Sequence, residues 1–232
     1  MYKNKKVTAV ILCAGSGTRF KSEINKVYLN IGENPIISYS IKTFSNNQYI
    51  DEIIMVTKPE EQEMCEQATK EYCKTENFKI VYGGQTRKDS VYNALKIAIG
   101  DIAIIHDGAR PMLTDKMISD CIEEMDNFTG VTIAVKSKDT IKITNDEGIV
   151  KNTTNRKNTW LIQTPQCFNK ELLIKGHEMP SKEGIEMTDD CMIMEQLGES
   201  VKLIEGEYNN IKVTIQEDLK LAEFYIKEKQ KK

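Results

Sequence analysis

The sequence predicts an α/β fold: a Rossmann-like, doubly wound, mostly parallel sheet with a β-hairpin arm projecting from it. Three observations carry the prediction. Short apolar runs of strand length alternate with longer, charged segments of helical period, the pattern of parallel strands joined by right-handed crossovers. Two of those runs end in glycine-containing loops, as strands do where an open α/β sheet binds its ligand. The stretch 137–158 alternates like paired strands but has too few apolar residues to pack as core.

With 232 residues, 40% of them hydrophobic and 29% charged, a single domain over 1–232 can bury a substantial core. A net charge of −3 gives no overall attraction to nucleic acid or to an acidic membrane, so a phosphate site has to come from local placement of Lys and Arg. No stretch approaches the roughly 18 to 20 apolar residues of a membrane span. Val7–Leu12 is shorter than a signal h-region and reads as the first strand of a cytoplasmic protein. The six cysteines contain no C-x-x-C and read as free thiols, and two histidines, His106 and His177, are too few for a His-rich metal site.

The first strand opens into V-I-L-C-A-G-S-G-T-R-F-K-S-E-I-N-K at 10–26. Glycines let backbone amides approach phosphate oxygens, so Gly15 and Gly17 line an anion cradle that Arg19 and Lys26 charge. Phe20 occupies a position where both the Walker loop and the dinucleotide fingerprint need glycine, which argues against those two classes. A helix follows over 35–46, with Asn34 as N-cap and an apolar stripe of Ile36, Ile37, Ile41 and Phe44. Next come a strand at 52–57, a charged helix at 60–73 and a strand at 79–82 that runs into G-G-Q-T-R-K-D-S. This second loop is either an ordinary capped turn before a helix ending near 99, or a base pocket in which Gly84 and Ser90 read a pyrimidine edge.

The strand at 102–105 ends in H-D-G-A-R-P. Asp107, at the carboxyl end of a central strand beside a phosphate cradle, suits Mg²⁺, which takes one or two carboxylates plus phosphate oxygens; by itself it fits equally a turn-holding aspartate beside a solvated Arg110. His106 reads as a packed strand-end residue. Thr114-Asp115 caps a helix to about 125, a strand spans 131–135, and the polar hairpin reads as an arm for a partner subunit. The chain returns through W-L-I-Q-T-P-Q to a helix at 170–178 and a second, capped by Thr188-Asp189-Asp190, that ends at Gly198. Strands are predicted at 201–204 and 210–214. A capping box of Thr214 and Glu217 then opens a last helix with a core face of Leu219, Leu221, Ala222 and Tyr225.

In order, L-C-A-G-S-G-T-R, N-K-V-Y-L, G-G-Q-T-R-K-D-S-V, H-D-G-A-R-P, K-D-T-I-K, Q-T-P-Q-C-F, M-T-D-D and E-G-E-Y-N-N-I-K-V-T resemble the 2-C-methyl-D-erythritol 4-phosphate cytidylyltransferase family over almost the whole chain. The resemblance implies the nucleotide-diphospho-sugar transferase variety of the fold. It also implies transfer of CMP from CTP to the polyol phosphate with release of pyrophosphate, Mg²⁺ as cofactor, and a homodimer joined through the arm. It places Ala14, Gly15, Ser16 and Gly17 on the triphosphate, Arg19 and Lys26 at its α-phosphate, and Gly84, Ser90 and Gly108 around the cytosine, with Gln85 on the nucleotide where some members have an acid near the ribose. Asp107 faces metal and substrate. Arg110, Thr164 and Lys212 hold the acceptor, together with Thr140 and Arg156 from the other subunit's arm, and Lys212 also supplies charge to the reaction. By pattern alone, Lys212 between Ile211 and Val213 is a solvated strand lysine. Asn25 and Val27 flank Lys26 where the family usually has proline and glutamine, and Asn155 precedes Arg156 where it has aspartate. Ribitol 5-phosphate cytidylyltransferase, with the same glycine loops, is the rival within the class; a catalytically inactive nucleotide-binding protein is the rival outside it.

Overall fold

A computed structural model describes residues 1–15, 20, 24–180 and 187–230. Strand β1 (Val7–Leu12) leads to a small ribbon of β2 (Asn30–Ile31) and β3 (Asn34–Pro35). Then follow α1 (Ile36–Asn46), β4 (Glu52–Thr57), α2 (Gln62–Tyr72), β5 (Phe78–Tyr82), α3 (Arg87–Leu95), β6 (Ile102–Asp107), α4 (Asp115–Glu124) and β7 (Gly130–Lys136). The arm is β8 (Lys142–Thr144) paired with β9 (Val150–Thr153), and after it come β10 (Trp160–Asn169), α5 (Lys170–Glu178), α6 (Cys191–Gln196), β11 (Val201–Glu205) and α7 (Gln216–Gln230).

Seven strands form one sheet in the order β11-β7-β10-β6-β1-β4-β5. Only β10 runs against the others, antiparallel to both β6 and β7, while every other neighbouring pair is parallel. The expected mostly parallel sheet is therefore present. Leu12 lies in register with Val56 of β4 and with Asp107 of β6, so these three strands finish level and their following loops leave from one edge.

Side chains alternate across the sheet and pack against helices on both faces. Val7, Ala9 and Ile11 of β1 join Ile104 of β6 in a core with Ile37, Ile41 and Phe44 of α1 and Ile118 and Ile122 of α4. Val10 and Ile105 point the other way, into a core with Val91 and Leu95 of α3, Leu173 of α5 and Met194 of α6. A third cluster, with Phe20, Ile36, Met112, Val213, Ala222 and Ile226, seats α7. The stripe expected on α1 is fully buried.

Several local expectations are corrected. Asn34 does not cap α1; it pairs with Ile31 in the ribbon, Pro35 stays extended, and the helix starts at Ile36 without a side-chain cap. The charged helix opens with a short 3-10 turn, Pro59–Glu61, before α2, and α3 ends at Leu95, short of 99. Residues 210–214 form no strand; Val213 N–H bonds the Ala109 carbonyl at 2.9 Å and holds this segment against the turn after β6. The carboxylate at the start of α7 that accepts the free amides of Thr214 and Ile215 belongs to Asp218, at 2.8 and 3.0 Å, so Glu217 is not the capping partner. Leu221 is exposed and Ile226 takes the core position expected of it. In the hairpin, β8 and β9 form a short ladder of their own, and Lys136 pairs instead with Trp160 of β10.

Candidate active site

The loops leaving the level strand ends enclose two adjoining cavities. The first, of about 620 Å³, is lined by Ala14 and Gly15 after β1, Asn25 and Lys26, Lys58 after β4, and Gly84, Gln85 and Ser90 around the start of α3. Its size lies within the range of small-ligand sites. The second is lined by Arg110, Gln163, Thr164, Gln166 and Asp189. Arg87, Asp107 and Lys212 belong to both.

Local sequence explains how these walls are built. Thr86 and Asp89 form a reciprocal capping box that starts α3 directly behind the second glycine loop. Gly84 has to be glycine, since a Cβ there would stand 2.2 Å from the Asp89 Cβ; its N–H donates to Ser90 Oγ at 3.1 Å. Gly108 lines neither cavity. A Cβ on it would meet the Ile37 side chain at 2.6 Å and the Leu12 carbonyl at 3.0 Å, so it allows the tight turn after Asp107.

Asp107 is the electrostatic centre. Lys212 Nζ is 2.8 Å from its Oδ2, Arg110 Nε is 3.8 Å from the same oxygen, and Arg87 Nε is 3.8 Å from Oδ1. Burial alone would raise the Asp107 pKa, but the Lys212 ammonium and the two guanidinium groups outweigh it and hold the carboxyl well below the usual carboxylate range. Arg87 also contacts the buried Asp190, with Nη1 2.7 Å from Oδ2, and Arg110 Nη1 donates to the Asn210 carbonyl at 2.8 Å. The Asp107 backbone is fixed too, its N–H donating to Thr164 Oγ at 3.0 Å.

Behind it, His106 is completely buried. Its Nε2 lies 3.3 Å from the Arg110 carbonyl, which only accepts, so the proton belongs on Nε2; Nδ1, 3.0 Å from Thr164 Oγ, is then the acceptor. A neutral imidazole satisfies the whole network, and burial lowers the His106 pKa to about 4. It supports the turn and is no catalyst, as the sequence indicated.

Among the described residues, no group of three or more His, Cys, Asp or Glu side chains forms a metal cage. Asp107 offers a single carboxylate to both cavities. One carboxylate completed by phosphate oxygens and water is a normal donor set for Mg²⁺ that accompanies a nucleotide. The residues therefore fit a cation carried in with the substrate.

The family model described as IspD, 2-C-methyl-D-erythritol 4-phosphate cytidylyltransferase, matches residues 7–228. The chain belongs to this family. The cytidylyltransferase of Caldanaerobacter subterraneus subsp. tengcongensis is 43% identical to it over 224 residues, covering 95% of this chain and 99% of the relative. That of Clostridium perfringens (strain SM101) is 45% identical, covering 96% and 99%. The crystal structure of 4-diphosphocytidyl-2C-methyl-D-erythritol synthase from Anaerococcus prevotii superposes with a TM-score of 0.85 at 33% identity, covering 96% of each chain. The protein is thus a nucleotidyltransferase of the cytidylyl class.

Of the residues expected at a cytidylyltransferase site, Ala14, Gly15, Lys26, Gly84, Gln85, Ser90, Asp107, Arg110, Thr164 and Lys212 line the two cavities. Ser16, Gly17 and Arg19 lie outside the described residues. Thr140 and Arg156 are exposed in the arm region and line neither cavity of this chain. Sequence reasoning missed Arg87, Asp190 and Lys58. Arg87 sits within the quoted G-G-Q-T-R motif at the first position of α3, and a cation directly after a glycine loop was the available signal.

The two histidines give a clean test of these surroundings. Burial is the main cause that lowers His177 as well, to about 4, with Lys88 and Arg87 adding to it. Both folded values lie below the ordinary 6.5, so between about 6.5 and 4 the unfolded chain binds more protons, and stability falls as pH drops through that window. In NMR, both ring Cε1–H resonances should titrate with midpoints near 4; a midpoint near 6.5 for either would contradict its placement.

Proposed function

We propose that this chain transfers the cytidylyl group of CTP to the phosphate of 2-C-methyl-D-erythritol 4-phosphate and releases pyrophosphate, with the nucleotide in the first cavity and the acceptor in the second. The observation that carries this reading is the shared wall: Arg87, Asp107 and Lys212 border both cavities, so two anions seated one in each would meet over a positively charged surface.

In the reaction an acceptor phosphate oxygen attacks the α-phosphorus, a new P–O bond forms there, and the bond from that phosphorus to the bridging oxygen breaks as pyrophosphate leaves. A phosphomonoester already carries roughly −1.5 to −2 at pH 7, so the main obstacle is bringing two anions together. Little covalent help is needed; in-line placement and fixed positive charge do most of the work. Lys26, Arg19 and Lys212 supply that charge at the α-phosphate. Arg110 and Thr164 bound the acceptor's side, Gly84 and Ser90 frame the base, and Gln85 borders the nucleotide. Mg²⁺, held by Asp107 and phosphate oxygens, would neutralise charge on the triphosphate when bound.

Thr140 and Arg156 reach a site only in a dimer, contributed by the arm of a second copy. Three features support that arrangement. The arm's strands are wholly exposed, Ile143, Ile149 and Val150 are 49%, 60% and 54% exposed, and neither residue lines a cavity of its own chain. No helix among the described residues is long and apolar enough to cross a membrane, and all six cysteines are free, which supports a reducing, cytoplasmic setting.

Pyrophosphate release from CTP and Mg²⁺ tests the substrate reading: release with methylerythritol phosphate and not with ribitol 5-phosphate is expected, and release with ribitol phosphate alone would overturn it. Lys26→Ala should lower turnover at least ~10²-fold, the size of losing one preorganised charge; near-normal turnover would remove Lys26 from the chemistry. Sedimentation at micromolar concentration should give twice the 26.5 kDa chain mass, and a single-chain mass would contradict the shared site.

A further inference from the structure

Asn25 ties the turn that carries Lys26 to two neighbouring segments. Asn25 is 9% exposed and uses both ends of its amide within the protein. Its Nδ2 donates to the Cys13 carbonyl at 2.7 Å and to Glu61 Oε2 at 2.9 Å, and its Oδ1 accepts from Val27 N–H at 3.3 Å. Two of these partners, a carbonyl and a carboxylate, can only accept, so chemistry fixes which end of the amide is nitrogen. Each bond has a separate consequence. The one to Cys13 anchors the turn to the residue just before Ala14 and Gly15, at the base of the first glycine loop. The one from Val27 caps the 3-10 turn Lys26–Tyr28.

Glu61 extends the link to a third wall of the cavity. It is 7% exposed, and its other oxygen, Oε1, lies 3.4 Å from Nζ of Lys58, which also lines the cavity. A buried carboxylate with an ion pair on one oxygen is a strong acceptor on the other. Tyr28 adds a tie to the same strand end, its hydroxyl 3.0 Å from that of Thr57. Remove the Asn25 amide and the Cys13 carbonyl and the Glu61 carboxylate each lose a donor, and the turn loses a polar tie to the chain just after β1.

We propose that Asn25 is a positioning residue for Lys26: through Cys13 and Glu61 it locks the lysine's turn to the glycine loop and to the end of β4, so that the ammonium and the phosphate-binding amides form one rigid unit. The inference rests on the reading that Lys26 supplies charge to the reaction. It concerns geometry in the transition state, where a displacement of about 1 Å can cost on the order of 10²-fold in rate.

A double-mutant cycle tests it, with pyrophosphate release from CTP as the assay. Asn25→Ala should lower kcat about 10- to 100-fold and change KM for CTP less than about 3-fold. In the Lys26→Ala background the same substitution should cost less than about 2-fold, because the group it positions is gone. Glu61→Gln keeps the shape and loses the charge; it should give a smaller kcat loss, about 3- to 10-fold, with the same disappearance, and it supplies the test if Asn25→Ala does not fold. An equal loss in both backgrounds, or none in the parent, overturns the inference while leaving the role of Lys26 standing. Near-normal turnover in Lys26→Ala itself removes the premise, and the inference falls with it.

Discussion

Everything in this molecule's working edge depends on holding an aspartate where cations outnumber it. Lys212 and two arginines approach Asp107 within 2.8–3.8 Å, and Lys26 and Lys58 line the first cavity with it. Like charges so close repel, and only a rigid scaffold keeps them together before an anion arrives. The fold meets that constraint with level strand ends. Asp107 ends β6, its backbone is tied to Thr164 of β10, and Lys212 is brought in by the Val213 bond to Ala109. Such preorganisation stores an electrostatic demand that a triphosphate and a phosphomonoester satisfy and a neutral ligand does not.

The single reversed strand matters here. β10 runs antiparallel between β6 and β7, and its register breaks between Ile162 and Gln166. There Gln163 and Thr164 reach the end of β6, line the second cavity and bond the Asp107 and Asn210 segments. Because it is reversed, β10 brings its N-terminal half, not its end, to the edge where the parallel strands finish.

Much of this was legible in the sequence. Strand-length runs at Val7–Leu12, Glu52–Thr57 and Ile102–Ile105 marked the buried parallel strands, and the two glycine loops and H-D-G-A-R-P marked the edge where a ligand binds. What the residue pattern by itself did not show were roles set by tertiary contact, Lys212 being placed at the site by the resemblance alone. Lys212 has the pattern of a solvated strand lysine, yet 210–214 is irregular and its lysine turns towards Asp107. Arg87 reads as an ordinary first residue of a helix until Asp107 and Asp190 are seen on either side of it. The cap of α7 moved from Glu217 to Asp218 because the carboxylate one residue later reaches two free amides at once. Local pattern names an element; it does not say which of its side chains the rest of the chain will meet.

The most direct measurement is a crystal structure of the protein with Mg²⁺ and a CTP analogue that cannot release pyrophosphate. The triphosphate should lie in the first cavity with its α-phosphate beside Lys26 and Lys212 and its base against Gly84 and Ser90. A nucleotide bound elsewhere, with that cavity left to solvent, would contradict the account.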